Sequence, residues 1–301
     1  MKYKLMFILV TIVVVITIAV KSDTINTYLE KRQVKEKQVD IPVVSLFYNN
    51  DNISIDVEKY LLGVVGSEMP ASFEIEALKA QAVAARTYVM HRNLQVDATT
   101  SSQVYRNEEK LKEVWGSNFT EYYKKVKEAV TSTKGEVMKY DNQIIGAYFF
   151  SSSNGYTNNV EDYWNKPLPY LKSVESKWEE KYYSSFEVTI QMNKMDFVSK
   201  VNSSSNPSIS ISRFQNHYVK RIIVDNKSFT GKEFRELLTL RSSDFDIVDR
   251  GSYYDITTRG SGHGIGMSQW GAQGMAKEGF KYKDILKYYY TDIDIINMYK
   301  Q

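Results

Sequence analysis

The sequence predicts an α+β extracytoplasmic domain carried on one N-terminal transmembrane helix, and three observations lead there. Leu5 to Val20 is apolar apart from Thr11 and Thr17, and it is flanked by Lys2, Lys4 and Lys21. Beyond it, apolar residues recur at helical spacing in some segments and alternate at strand spacing in others, with no internal repeat. The 301 residues are 43% apolar and 25% charged, which describes a globular chain long enough for one large domain or two packed lobes. The 39 basic and 36 acidic residues are well mixed, and a net charge of +3 leaves no clustered nucleic-acid footprint. That mild balance does permit loose attraction to an anionic wall or membrane surface.

Taken in order, residues 1–4 read as a cytoplasmic tail, 5–20 as the anchor, 21–40 as a charged linker and 41–301 as the exported domain. At roughly 16 residues the apolar run is shorter than the ~20 of a relaxed span, so flanking lysines snorkel or the bilayer thins. A cleaved signal peptide is the rival, but Ala19-Val20-Lys21 puts a charge where a cleavage site needs a small residue. Lys31, Arg32, Lys35 and Lys37 outnumber the lysines before the segment, yet the short tail favours export of the remainder of the chain.

In the domain, Val43–Tyr48 and Ile53–Ile55 alternate about Asn49–Asn52 and read as a hairpin. Thr99–Ser102 reads as a loop and Phe119–Thr131 as a helix. Val137–Tyr140 and Ile144–Phe150, joined across Asp141-Asn142, form a second hairpin. Trp178–Asp225 differs in composition, and its helical piece, serine-rich loop Ser203–Ser212 and strand His217–Val224 suggest a second lobe. A short helix at Gly231–Thr239, two strands about Arg250-Gly251, a glycine loop at Gly262–Gly266, helices at Met267–Lys277 and Tyr282–Tyr290, and a strand at Ile293–Met298 complete the chain.

The stretch that organises the domain is Tyr60–His91. Pro70 lacks an amide donor and biases Met69 away from helical dihedrals, so a helix ending near Gly66 stops there and leaves Glu68 at a junction. Ser72 is the expected N-cap of the next helix, with Glu74 and Glu76 in its first turn, where the helix dipole explains them without catalysis. Ile75, Leu78, Ala82, Ala85 and Val89 make one stripe, and Ala77, Ala80 and Ala84 a second, small face that lets a neighbour approach closely. Arg86 lies beside the stripe, and its guanidinium needs an anion or water: an orienter for Glu68, or a ligand for substrate.

The segments YLLGVVGSEMP and ALKAQAVAARTYV, with AYFFSSSNGYTNNVEDYW at Ala147–Trp164 and RGSGHGIGMSQWGAQG at Arg259–Gly274, resemble the stage II sporulation protein D family. Three blocks in the family's order across Ile41–Ile296 make the match specific. The resemblance implies a two-lobed domain with a central cleft and a membrane-anchored lytic transglycosylase acting on peptidoglycan in septal remodelling and engulfment, with Glu68 as its acid. It also implies partners, namely a cell-wall amidase or endopeptidase and a polytopic membrane protein. Amidase-enhancer relatives carry the same blocks, so a non-catalytic, glycan-binding enhancer is the alternative. Some family members bind zinc partly through cysteines near the segment matching Asp97–Tyr105. This chain has no cysteine, and that segment reads DATTSSQVY, so no metal or other cofactor is expected. Disulfides, thiolate zinc sites and cysteine nucleophiles are excluded on the same ground.

A lone glutamate before Met-Pro is, in isolation, an ordinary helix-end carboxylate. Within these blocks it suits a reaction that needs only one carboxylate, where ordinary glycosidases need two. Glu161 and Asp162 are the other acidic candidates, both for a polar role in the cleft. His263 sits among glycines that let the backbone bend and approach a ligand closely. In Gln269 and Trp270 we expect an amide that reads sugar hydroxyls and an indole that stacks on a pyranose. Ser151, Ser153, Tyr156 and Thr157 form a hydroxyl-rich loop suited to carbohydrate; G-x-S-x-G is absent, and so is H-E-x-x-H.

Overall fold

The sequence folds into strands β1 (Val43–Tyr48) and β2 (Asp51–Asp56), helices α1 (Val57–Glu68) and α2 (Ile75–His91), and strand β3 (Gln95–Asp97). The structure is a computed structural model that describes residues 40–164 and 166–299, so the predicted tail and anchor and nearly all of the linker lie outside the described residues. Among the described residues, no helix is long and apolar enough to cross a membrane. The first hairpin closes through Asn49-Asn50, both at positive φ, a tighter turn than the four residues expected. β3 adds parallel to β1, giving the order β2-β1-β3.

Helix α1 starts at Asp56, whose carboxylate accepts from the amides of Glu58 (2.8 Å) and Lys59 (3.1 Å). It runs two residues past Gly66 and stops at Glu68, because Met69, as the residue before Pro70, is extended (φ −120°, ψ 137°). The expected cap at Ser72 is not used. Helix α2 begins at Ile75, and the amide of its N-cap residue Glu74 is held at 2.7 Å by Gln273 Oε1, from far along the chain. Helix α2 is buried all round from Ala77 to Val89 apart from Lys79 and packs against α1 and several later elements, so its two stripes do place it at the centre.

Then come α3 (Glu108–Trp115), α4 (Phe119–Ser132), β4 (Glu136–Tyr140), β5 (Gln143–Ile144), β6 (Phe149–Phe150), α5 (Val160–Trp164) and α6 (Glu179–Tyr182). The run expected as one strand from Ile144 to Phe150 is broken: Ile144 pairs with Lys139, while Phe149 and Phe150 pair parallel with β13 (Met267–Ser268). The second part of the chain holds β7 (Glu187–Asn193), α7 (Lys194–Val201), β8 (Ile209–Arg213), β9 (Val219–Val224), β10 (Lys227–Thr230), α8 (Gly231–Leu238), β11 (Phe245–Asp249) and β12 (Tyr253–Arg259). Part of the serine-rich stretch read as loop is strand β8, since Ile209 and Ile211 alternate with exposed serines. Helix α8 carries a capping box between Thr230 and Glu233. After β13 come α9 (Gln269–Lys277), α10 (Tyr282–Tyr289) and β14 (Asp294–Asn297), which pairs with β4.

The mixed α+β character is as predicted. The two expected lobes are two hydrophobic centres within one compact unit from Pro42 onward. One surrounds α2. The other joins Phe197, Val219, Ile222, Phe234, Phe245, Tyr254 and Ile256 under the sheets β10-β9-β8 and β11-β12-β7.

Candidate active site

Glu68 opens onto a cavity of about 420 Å³ lined by Tyr88, Thr100, Ser101, Ser102, Tyr148, Phe149, Phe150, Trp164, Arg235, Gly262 and His263. That volume suits a small ligand or a short stretch of polymer. Both hydrophobic centres contribute: Tyr88 comes from the buried helix α2, and Arg235 follows Phe234 of the second core.

Helix α1 ends at Glu68, so its carboxylate leaves the last turn toward the cavity. Segment 103–106 runs alongside α1, where Gly63 makes room for it: a Cβ there would lie 2.3 Å from the Tyr105 ring. That approach sets the amide of Val104 2.5 Å from Glu68 Oε1. No described residue hydrogen-bonds Oε2. Burial pushes the Glu68 carboxyl above its ordinary range; the Val104 amide and the charge of Arg106 pull the other way without cancelling it. The hydroxyl wall is fixed from below, where Asp97 accepts from Ser102 Oγ (2.8 Å) and from the amide of Thr99 (2.8 Å).

The opposite wall is aromatic. Tyr148 lies 4.7 Å from Trp164 and 5.8 Å from Tyr88, and the His263 ring lies 5.3 Å from Trp164 and 5.6 Å from Phe150. His263 Nδ1 accepts from the amide of Ile265 at 3.0 Å, which places the neutral ring's proton on Nε2. Desolvation and the charge of Arg235 lower its pKa to about 4, so the ring is neutral at physiological pH. The glycine loop also fits against this wall. Gly266 has φ +77°, and a Cβ on it would sit 2.1 Å from the Tyr148 carbonyl oxygen.

Of the predicted site residues, the structure brings Glu68 and His263 together and places the others elsewhere. Arg86 is wholly buried and forked onto Glu58, Nε to Oε1 at 2.9 Å and Nη2 to Oε2 at 2.6 Å, with further bonds to the carbonyls of Val130 and Glu136. It touches neither Glu68 nor the cavity, so its expected role as orienter or substrate ligand is corrected to a packing role. Gln269 is buried as well. Its amide donates to the Glu68 carbonyl (3.0 Å) and to Gln81 Oε1 (3.4 Å), so that amide is engaged at the end of α1, and Gln269 does not line the cavity. Trp270 is held between Phe73 and Tyr183, each 4.6 Å away, instead of facing a pyranose.

The hydroxyl-rich loop is a structural junction. Ser151 accepts from the amide of Trp270 through its carbonyl (3.0 Å), and Ser153 is buried with its amide on Glu179 Oε1 (3.3 Å). Thr157 is buried with its hydroxyl between Lys172 and Val174, and Tyr156, more exposed, lies with its ring 5.9 Å from His217. None of these four lines the cavity. Glu161 does not either: burial works against its charge, but an ion pair with Lys172 at 2.7 Å holds its carboxyl below the usual range. Glu76 lies in the first turn of α2 as read and pairs with Lys79 at 2.9 Å, whereas Glu74 is the N-cap residue, one position before the first turn, and its side chain makes no cap bond. Sequence reasoning missed Tyr88, Tyr148, Phe150, Trp164 and Arg235 as site residues. Three of the aromatics stood inside the Ala147–Trp164 block, whereas nothing local distinguished Arg235 from a solvated helix residue.

Among known proteins, the SpoIID family model, described as stage II sporulation protein, matches residues 50–140, a span that includes Glu68. Stage II sporulation protein D of Bacillus subtilis (strain 168) is 41% identical over 279 residues, covering 87% of this chain and 80% of that protein. Its namesake from Bacillus amyloliquefaciens is 39% identical over 278 residues, with the same coverage of 87% and 80%. The amidase enhancer of Bacillus subtilis (strain 168) is 33% identical over 288 residues, covering 76% of this chain and 39% of that relative.

Proposed function

This chain belongs to the stage II sporulation protein D family, a family of sporulation, and on that basis we propose that it is a peptidoglycan lytic transglycosylase. The substrate is the bond between N-acetylmuramic acid and N-acetylglucosamine in glycan stripped of its stem peptides. The observation that carries the reading is that Glu68 is the single carboxylate among the described residues lining the cavity, with its pKa raised by burial. A hydrolase that retains or inverts configuration needs a second carboxylate at about 5 to 9.5 Å, and a lytic transglycosylase does not.

Protonated Glu68 donates its proton to the glycosidic oxygen as the bond from C1 of the muramic acid breaks, releasing N-acetylglucosamine with a free 4-hydroxyl. The C6 hydroxyl of the same muramic acid then attacks C1, and its proton passes to the Glu68 carboxylate. The products are a 1,6-anhydro-muramyl end and regenerated acid, with no water consumed. Burial against the apolar and aromatic wall raises the Glu68 pKa and so favours its protonated form, and the wall offers flat faces to the sugar rings. The chemistry calls on no metal.

Glu68→Gln keeps size and hydrogen-bonding reach but cannot deliver a proton. Turnover on stripped glycan falls by ~10² to 10⁴ while glycan binding survives, and anhydro ends disappear from the digest. Near-normal turnover in this variant would remove Glu68 as the acid, and reducing muramic ends from the parent protein would make it a hydrolase. In the parent, turnover declines as pH rises through the elevated Glu68 pKa, because the proton to be donated is lost.

A second reading draws on the relative named amidase enhancer: the same cavity would bind glycan and stimulate an amidase without cleavage. Equal loss of binding and turnover in Glu68→Gln, or no anhydro product from the parent protein, would favour it. Under either reading the domain works outside the cell membrane on the predicted anchor, next to an amidase or endopeptidase and a polytopic membrane protein.

A further inference from the structure

Arg235 is the single permanent cation among the described residues that line the cavity, as Glu68 is the single carboxylate. It stands on α8 beside the core residue Phe234. Its Nη1 donates to Tyr163 Oη at 2.9 Å, which fixes one corner of the guanidinium. Its Nε is shut off from solvent with no acceptor among the described residues. Arg235 forms no ion pair among those residues either. A half-buried guanidinium with an unmet donor and no counter-charge is costly unless an anion completes it.

At the lactyl position, the ligand of the proposed reaction carries such an anion in one state only. While a stem peptide is attached, the lactyl carboxyl of muramic acid is a neutral amide with a bulky substituent. Once the peptide is removed, it is a free carboxylate. N-acetylglucosamine has no lactyl group at all. A guanidinium is the side chain that matches a carboxylate in a planar, two-point bond. We propose that Arg235 binds the free lactyl carboxylate of muramic acid and so makes the stripped strand the preferred ligand of this cavity. The proposal rests on the glycan-cleaving reading above. It gives the stripped-strand preference a physical cause, a charge on the sugar that Arg235 neutralises.

The test measures binding to the full-length protein carrying Glu68→Gln, which prevents turnover. Three oligosaccharides of equal length are compared: alternating glycan with free lactyl carboxyls, the same glycan with those carboxyls as methylamides, and a chitin oligomer. With Arg235 intact, the free acid binds ~10- to 100-fold more tightly than the methylamide, as one charge-assisted contact allows, and the margin shrinks with added salt. Arg235→Gln brings the free acid down to the methylamide's affinity and leaves the chitin oligomer's unchanged. Arg235→Lys keeps the charge but not the fork, and retains part of the preference. An undiminished preference in Arg235→Gln, or an equal loss for all three ligands at unchanged Tm, would overturn the assignment while leaving the glycan reading intact. If the Arg235-intact protein binds none of the three, the glycan reading fails and the assignment falls with it.

Discussion

Removing the Arg86 guanidinium tests whether this residue holds the fold or serves the substrate. In the structure it joins α1 to α2 through Glu58 and reaches the carbonyls of Val130 and Glu136 at 3.3 and 3.2 Å. Glu58 in turn accepts from the Gly135 amide (3.2 Å) and from Tyr299 Oη (3.0 Å), so one ion pair ties both helices to the C-terminal end of the described chain. The Arg86 side chain is 0% exposed and that of Glu58 13% exposed. Arg86→Met therefore leaves a carboxylate with little access to water and takes a donor from two carbonyls, of which that of Val130 keeps the Thr133 hydroxyl at 3.3 Å. Breaking one side of a buried pair costs ~3–5 kcal/mol, and the partial exposure of Glu58 favours the lower end. At about 2 °C per kcal/mol for a domain of this size, Tm falls by roughly 6 °C. Replacing both partners, as Arg86→Met with Glu58→Met, recovers much of that loss, because a well-packed apolar pair does not carry the cost of burying charge. Thermal unfolding of the two single variants and the double variant gives the coupling, and turnover on stripped glycan is read at a temperature where all are folded. A single variant with unchanged Tm but lost turnover or glycan binding would refute this assignment and return Arg86 to the substrate.

Two further predictions concern the support of the site. Glu179 is buried, accepting from Ser268 Oγ and Ser176 Oγ, and burial raises its carboxyl pKa despite these bonds. A carboxyl raised in the folded state stabilises most below the unfolded value of ~4.3, and its contribution is lost as pH rises through the folded value. Glu179→Gln therefore flattens the fall of Tm between acid and neutral pH, and parallel Tm–pH curves for the two proteins would contradict this. Gln269→Ala frees the Glu68 carbonyl at the helix end; kcat falls by ~10- to 100-fold with KM nearly unchanged, as expected of a misplaced acid. An intact kcat accompanied only by a lower Tm would mean that Gln269 supports the fold alone.

The features legible in the residues alone are local ones. Pro70 stops α1 and leaves Glu68 at its end, because a missing amide and a clash with the preceding residue act within two positions. The alternation about Asn49-Asn50 and Asp141-Asn142 set the turns, and the stripes of Ile75–Val89 marked a buried helix; each pattern repeats over a few residues and needs no distant partner. The three blocks, read together, gave the family. Which side chains meet was settled by the folded chain. Arg86 carried the same guanidinium on either reading, and the choice between Glu58, 28 residues away, and Glu68 depended on how α1 lies against α2. Gln269 reaches Glu68 across 201 residues, and the loop from Ser151 to Thr157, polar in sequence, is drawn inward by Glu179 and Lys172. Arg235 enters the cavity because Phe234 and Leu238 anchor α8 in the second core. A hydrogen bond or ion pair is specified by geometry that converges from separate elements, and no window of neighbouring residues contains that geometry.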